Sequence, residues 1–80
     1  MKVRILAFAS YADALGRSEL EVDVPEPATV ADCVAAVRAL PGMEVVPPTV
    51  GVAVNRRYAR PEQAVNASDE VALIPPVAGG

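Results

Sequence analysis

The fold is decided by residues 19–40, which read ELEVDVPEPATVADCVAAVRAL. Charged and apolar side chains alternate from Glu19 to Val24, a period-two pattern typical of a strand with one face in water and one on a core. Two prolines then end the pattern. Thr29 and Asp32 follow at the spacing of a capping box, in which each side chain accepts a hydrogen bond from the other residue's backbone. The stretch therefore predicts a strand, a break and a helix.

The predicted helix carries one apolar stripe. Its members recur at helical spacing: Val30, Cys33, Val34, Val37 and Leu40. Pro41-Gly42 is expected to end the helix. Because free cysteine is among the most often buried residues, the stripe predicts that Cys33 packs in the core and is not a sulfur donor.

The residues before this stretch predict a strand and a short helix. Lys2 to Phe8 is rich in β-branched and large apolar residues and is expected to pair with Glu19 to Val24. Ser10 and Asp13 resemble a second capping box, and the short helix is expected to end at Leu15-Gly16.

After the main helix, the pattern predicts a connector and three short strands. Met43 to Thr49 is expected to have little regular structure, because it contains Pro47-Pro48. Strands are predicted at Val50–Val54, at Arg57–Ala59 after a tight turn, and at Glu70–Ile74. This order predicts an α+β domain with one main helix packed on one face of a mixed sheet, as in the β-grasp (ubiquitin-like) fold, although other α+β arrangements fit too. We expect residues 1–74 to form the globular domain and residues 75–80 a flexible tail.

Composition excludes several classes of function. The 80 residues are 52% apolar, and no apolar run is long enough to span a membrane. The start lacks the pattern of a secretion signal, so we expect a cytoplasmic protein. A net charge of −3, with scattered basic residues, argues against nucleic acid as a partner. The chain has no histidine and one cysteine, and it shows no metal-ligand cluster and no phosphate-binding glycine loop.

The best functional clue is the end of the chain, Val77-Ala78-Gly79-Gly80. Glycine has no side chain, so this tail is thin enough to enter a narrow channel and present the Gly80 carboxylate. Pro75 and Pro76 cannot donate to a sheet ladder and should detach the tail from the last strand. Paired glycines alone would suggest a frayed terminus, but the two prolines favour a carboxylate delivered into a partner's active site.

Residues 69–80, DEVALIPPVAGG, resemble the C-terminal signature of the small subunit of molybdopterin synthase, in the MoaD/ThiS sulfur-carrier family. Val52-Ala53-Val54-Asn55 is similar to the segment before that family's hairpin. The resemblance implies that an activating enzyme adenylates Gly80 with ATP and that sulfur from a donor protein then gives a thiocarboxylate. The large synthase subunit would use this sulfur to build the dithiolene of molybdopterin. The chain would be a carrier subunit that has no catalytic machinery of its own and binds no cofactor permanently.

Strand parity indicates where partners dock. If Val3 and Ile5 face the helix, Phe8 points to the opposite face of the sheet, and Ile74 points there too. With Tyr58 they occupy positions that resemble the family's apolar docking surface. In the alternative interpretation, residues 43–48 pack over these side chains, which then are not exposed.

The role of Arg56, Arg57 and Arg60 remains open at the level of sequence. They are interpreted as solvated turn charges in preference to contacts with ATP phosphates or with an acidic partner.

Three alternatives to a molybdopterin carrier are retained. One is a sulfur carrier for thiazole, cysteine or tRNA thiolation, since such carriers also end in Gly-Gly. The second is a ubiquitin-like modifier that is conjugated to lysines through Gly80, and the third is an interaction domain with an inert terminus. The motif Ile74-Pro75-Pro76-Val77 favours molybdopterin.

Overall fold

A computed structural model describes residues 1–76 of the chain. The elements in chain order are β1 (Lys2–Leu6), α1 (Ala9–Leu15), β2 (Glu19–Asp23), β3 (Ala28–Thr29), α2 (Val30–Arg38), a 3₁₀ turn (Met43–Val45), β4 (Gly51–Val54), β5 (Arg57–Ala59), β6 (Ala64–Val65) and β7 (Glu70–Ile74). Among these residues, no helix has the length and apolar character needed to cross a membrane.

Five of the strands form one mixed sheet in the order β2-β1-β7-β4-β5. The central strands β1 and β7 run parallel, and all other neighbours in this sheet are antiparallel. Helix α2 covers one face, and its stripe joins the apolar core of the sheet. This arrangement is the predicted β-grasp fold. A separate two-stranded sheet of β3 and β6, which the sequence did not predict, ties the start of α2 to residues 64–65.

The alternating pattern in β2 determines which face of the sheet is buried. Val22 lies opposite Val3, and Leu20 lies opposite Ile5, so all four side chains enter the core. Their charged neighbours in sequence point to the outer face, because successive side chains of a strand alternate. A shift of one residue in register would bury carboxylates, and the alternation therefore determines the pairing.

Helix α2 begins at the predicted capping box. The Asp32 backbone N–H donates to Thr29 Oγ1 over 3.3 Å, and the Thr29 N–H donates to Asp32 Oδ2 over 2.9 Å. These bonds satisfy N–H groups that otherwise lack a partner in the first helical turn. The predicted stripe is buried within the helix, whereas Leu40 lies beyond its last turn and is only partly buried. The helix ends at Arg38, before Pro41 is reached.

The predictions for the first strand and the short helix need correction. Strand β1 stops at Leu6, and the N-cap of α1 is Phe8, which makes no side-chain capping bond. Ser10 lies inside the first turn, two positions after the N-cap, and is too late to cap it. The predicted end of this helix is confirmed, since Gly16 takes the left-handed conformation with φ 82°.

The connector after α2 is more ordered than predicted. Met43 and Val46 are both fully buried, and the 3₁₀ turn positions them against the core. The Arg38 Nε donates to the Val46 carbonyl oxygen over 2.7 Å, which anchors the connector to α2. The two prolines, Pro47 and Pro48, indicate a loop, and no local period marks Met43 and Val46 before them as core residues.

Candidate functional site

The chain leaves the sheet at the end of β7. Ile74 is the last residue of that strand and pairs with Gly51 at the start of β4. Pro75 and Pro76 follow outside any strand, as predicted, with Pro75 half-buried and Pro76 exposed. Pro76 lines a shallow groove together with Tyr11, Val45 and Pro47. The predicted tail residues Val77, Ala78, Gly79 and Gly80 lie outside the described residues.

An apolar surface lies on the face of the sheet opposite α2, and the strand register defines its members. Leu6 pairs with Ala72, Ala72 with Ala53, and Ala53 with Tyr58, so one apolar row crosses β1, β7, β4 and β5. Ile74 lies two residues further along β7, where the chain exits, and Phe8 follows the end of β1 with an extended backbone, one residue after the buried Ala7. The outer-face patch consists of these side chains: Leu6, Phe8, Ala53, Tyr58, Ala72 and Ile74.

The outer-face patch has a flat floor and projecting aromatic side chains. Ala53 and Ala72 are each only 8% exposed, whereas Phe8 is 46% and Tyr58 is 80% exposed. Ile74 is half-buried. The register places Tyr58 and Ile74 on the face opposite the helix, whereas Phe8 lies beyond the last register pair of β1, and a docking role for all three stays a prediction. Leu6 and the two alanines were not predicted as part of the patch.

Residues 43–48 do not cover the side chains of Phe8 and Tyr58. The connector buries Met43 and Val46 in the core, and the exposed Val45 faces the groove that Pro76 lines. Phe8 and Tyr58 keep their exposure in the presence of the connector. The patch is therefore available to a partner.

The far end of the same face is charged and largely paired internally. Lys2 Nζ lies 3.3 Å from Asp23 Oδ2, and Arg4 lies 3.2 Å from Glu70 Oε2 and 3.7 Å from Glu19 Oε2. These groups are exposed, so each ion pair contributes little to stability. These charged side chains lie between the outer-face patch and the β2 edge of the sheet. The apolar end of this face is the end beside the chain exit.

The β4–β5 hairpin carries the unpaired positive charge. Asn55 and Arg56 form its turn with φ values of 52° and 71°. Both values are typical of a type I′ turn. The Asn55 side chain holds this turn to the start of β7, since its Oδ1 accepts from the Glu70 N–H over 3.0 Å. Within residues 1–76, Arg56, Arg57 and Arg60 make no ion pair and no side-chain hydrogen bond.

Cys33 lies in the core, as the stripe predicts. Its side chain is fully buried, and burial raises the pKa of the thiol, with the neighbouring Asp32 carboxylate acting in the same direction. A thiol with a raised pKa is a poor nucleophile at neutral pH, because the thiolate is the reactive form. Cys33 therefore packs in the core, and we expect it to take no part in sulfur transfer.

The described residues offer no evident catalytic centre. They contain no cluster of potential metal ligands. A cavity of about 270 Å³ opens between α2 and the β4–β5 hairpin, but apolar side chains line most of it. Its lining includes Arg38, whose side chain is already bonded to Val46, and the cavity reaches Tyr58 on the edge strand β5, although the register places that side chain on the outer face. The features of the described part that we carry forward are the chain exit and the adjacent outer-face patch.

Comparison with known proteins agrees with this arrangement. The family model described as the ThiS family matches residues 5–80, which include the end of β1, all other strands of the main sheet and the end of the chain. The chain belongs to the ThiS family. Its fold is accordingly the ubiquitin-like β-grasp fold.

Two curated ThiS-family relatives match the full length of the chain. Both are molybdopterin synthase sulfur carrier subunits. The one from Chlamydomonas reinhardtii is 34% identical, with all of both chains covered. The one from Arabidopsis thaliana is 31% identical, with all of this chain and 84% of the relative covered. Among solved structures, small archaeal modifier protein 1 of Haloferax volcanii is similar with a TM-score of 0.83 and 33% identity, over 95% of this chain and 98% of that chain.

Proposed function

We propose that this chain is the sulfur-carrier subunit of a molybdopterin synthase and that it carries sulfur as a thiocarboxylate on Gly80. The observation that supports this most strongly is the position of the chain exit. Residues 75–76 follow directly on Ile74, a member of the outer-face patch, so a partner docked on the patch lies next to the residues that follow. The two full-length relatives carry the same activity in their names.

The chemistry requires activation by a partner. A terminal carboxylate has a pKa of about 3.5, so at neutral pH it is ionised and a poor electrophile. In the proposed reaction, a Gly80 oxygen attacks the α-phosphorus of ATP in an adenylating enzyme and pyrophosphate leaves. A persulfide on a donor protein then attacks the carbonyl carbon, and AMP leaves with the oxygen. A second thiol cleaves the resulting acyl disulfide by forming a disulfide with the donor's sulfur. The product is the thiocarboxylate.

The outer-face patch suits two successive partners. The adenylating enzyme and the large synthase subunit must each receive the tail, and both need to hold the domain while the terminus reacts. Exposed aromatic side chains such as Phe8 and Tyr58 are typical anchors of protein interfaces. We therefore propose that both partners dock on this patch in turn, and that the chain itself supplies the carried group and no catalytic residue.

Mass spectrometry of the protein purified from its own host tests the proposal. A sulfur-for-oxygen mass increase that maps to Gly80 supports it. The matched control is a chain with one residue added after Gly80, which leaves the domain unchanged but removes the terminal carboxylate from its position. A terminus that never carries sulfur, in cells that make molybdenum cofactor through this chain, would refute the proposal.

The similarity to small archaeal modifier protein 1 favours a second candidate function. In that case the activated Gly80 carbonyl would be attacked by a lysine amine of another protein, giving an amide bond and releasing the activating group. The same mass spectra distinguish the two functions, because a modifier leaves adducts on lysines of other proteins. A carrier leaves sulfur on its own terminus.

A further inference from the structure

The charges around the outer-face patch are distributed unevenly. At the β2 edge, acidic and basic side chains neutralise one another through the ion pairs of Lys2 and Arg4. At the opposite edge, Arg56, Arg57 and Arg60 flank Tyr58 in the chain. Arg57 pairs with the core-facing Val54, so its side chain leaves the sheet on the α2 side, whereas Arg56 lies in the turn and Arg60 directly after β5. None of these three arginines meets a carboxylate within residues 1–76.

Among the described residues, a single unpaired arginine, Arg17, lies by the β2 edge with Glu19 and Glu21, and Asp69 is bonded to Asn55 in the hairpin turn. A partner on the patch therefore meets more unpaired basic side chains at the hairpin edge than at the β2 edge.

This local charge opposes the charge of the whole chain. The net charge is −3, which by itself favours a basic partner. The hairpin nevertheless presents positive charge next to the most exposed aromatic side chain of the patch, Tyr58, at 80% exposure. Close charges dominate over distant ones because salt screens interactions beyond about 8 Å. The surface that a docked partner touches is thus basic on its hairpin side.

The backbone at Arg56 adds an independent observation. Its φ of 71° is in the left-handed region, where glycine is the preferred second residue of a type I′ turn. An arginine costs about 1 kcal/mol there relative to glycine. Strained positions of this kind are concentrated at functional sites. An unpaired guanidinium at a position that favours glycine is expected where the side chain has a role outside the domain.

From the charge and the backbone together, we infer that the adenylating enzyme carries a row of carboxylates beside its apolar docking surface, and that these carboxylates pair with the hairpin arginines. The inference rests on the proposed function, since both candidate functions need the terminus to be adenylated. The pairing fixes the orientation of the domain on the enzyme. Only one orientation joins the basic edge to acidic side chains and brings the chain exit to the nucleotide.

Steady-state adenylation kinetics test this pairing, with the adenylating enzyme of the same organism as the probe. Two triple variants replace Arg56, Arg57 and Arg60 by Gln or by Glu. Arg17→Glu is the matched control, because Arg17 is exposed and lies by the opposite edge with Lys2 and Glu21. Thermal melts establish that each variant is folded.

We expect the KM for the carrier to rise in the order wild type, Gln variant, Glu variant. At low salt the Glu variant should show a rise on the order of tenfold, because rim charges act mainly on association. High salt should reduce the difference, and kcat and the KM for ATP should stay constant. Arg17→Glu should behave as wild type.

Four results would overturn the inference. Equal KM values for wild type and both triple variants would show that the arginines are only solvated. A change confined to the KM for ATP would assign them to nucleotide phosphates. Wild-type self-association that the Glu variant abolishes would assign them to a second copy of the chain. A wild-type chain that the enzyme does not adenylate at all would refute the proposed function itself, and the hairpin pairing with it.

Discussion

Replacing Phe8 with Asp should weaken partner binding more than it destabilises the domain. Phe8 is 46% exposed, and a phenylalanine side chain offers about 200 Å² of surface, so about 90 Å² remains for a partner to cover. At about 25 cal/mol per Å², covering this area contributes about 2 kcal/mol, or about 30-fold in Kd. The carboxylate of the variant must also lose its water when the interface forms, and this desolvation costs additional free energy. We therefore expect binding to fall by at least that factor.

The domain itself should tolerate the change, because Phe8 occupies the N-cap of α1. Its backbone is extended, with φ −130° and ψ 157°, and its side chain makes no capping bond. Aspartate is a preferred N-cap residue and contributes about 1 kcal/mol in that position. This gain partly offsets the free energy that is lost when the buried half of the phenyl ring is removed. The free energy of unfolding should therefore fall by less than about 2 kcal/mol.

Titration calorimetry against the large synthase subunit, together with thermal melts, measures both effects. Phe8→Leu is the matched control, since leucine keeps an apolar side chain at the same position and should bind almost normally. Normal binding by Phe8→Asp would place the docking surface elsewhere. A Phe8→Asp domain that is unfolded would show that the side chain belongs to the core, and the assignment to the outer face would then be wrong.

Three further predictions concern other parts of the chain. Cys33→Ala should lower the free energy of unfolding by about 1 to 2 kcal/mol in denaturant titrations and leave sulfur loading intact by mass spectrometry, whereas loss of loading in a folded variant would make the thiol a relay. Folding raises the pKa of this thiol above its ordinary value of 9.0, so the unfolded chain loses the proton first as the pH rises. The contribution of the thiol to the free energy of unfolding should therefore be intact below pH 9.0 and decline above it. Thermal melts across the pH range should show this decline for the wild type and not for the variant. Arg56→Gly should raise the free energy of unfolding by about 1 kcal/mol, since glycine adopts the positive φ without strain; no gain in denaturant titrations would contradict the backbone argument. One residue added after Gly80 should abolish sulfur loading and leave the circular dichroism spectrum unchanged, and loading of the intact extended chain would disprove the role of the terminus.

The elements that the sequence predicted best are those specified by local physics. The alternation in β2 determines both its face and its pairing with β1, and the Thr29–Asp32 box determines where α2 begins. Each signal lies within a few adjacent residues and is reinforced by burial. The outer-face position of Ile74 follows from the same alternation, because parity transfers from one strand to its neighbours.

The elements that the sequence missed depend on contacts that are distant in the chain. Met43 and Val46 are core residues because Arg38 anchors the connector, and no local period indicates this. The pairing of β3 with β6 joins residues 28–29 to residues 64–65, and each strand is too short to show an alternation. Ser10 resembled a cap because the end of β1 was placed too late by sequence.

The composition of the outer-face patch was only partly predictable for the same reason. Ala53 and Ala72 are small residues with weak patterns of their own, and they become the floor of the patch only when β4 and β7 are paired. The unpaired state of the hairpin arginines is likewise a property of the folded domain. From sequence alone, isolated turn charges are most often solvated.

The central claim is that Gly80 carries sulfur, and intact-protein mass spectrometry of the chain from its own host tests it most directly. The account predicts a population heavier by one sulfur-for-oxygen substitution, located in the C-terminal peptide, which disappears when the adenylating enzyme is deleted. A chain that bears no sulfur on its terminus while the host makes molybdenum cofactor through it would contradict the account.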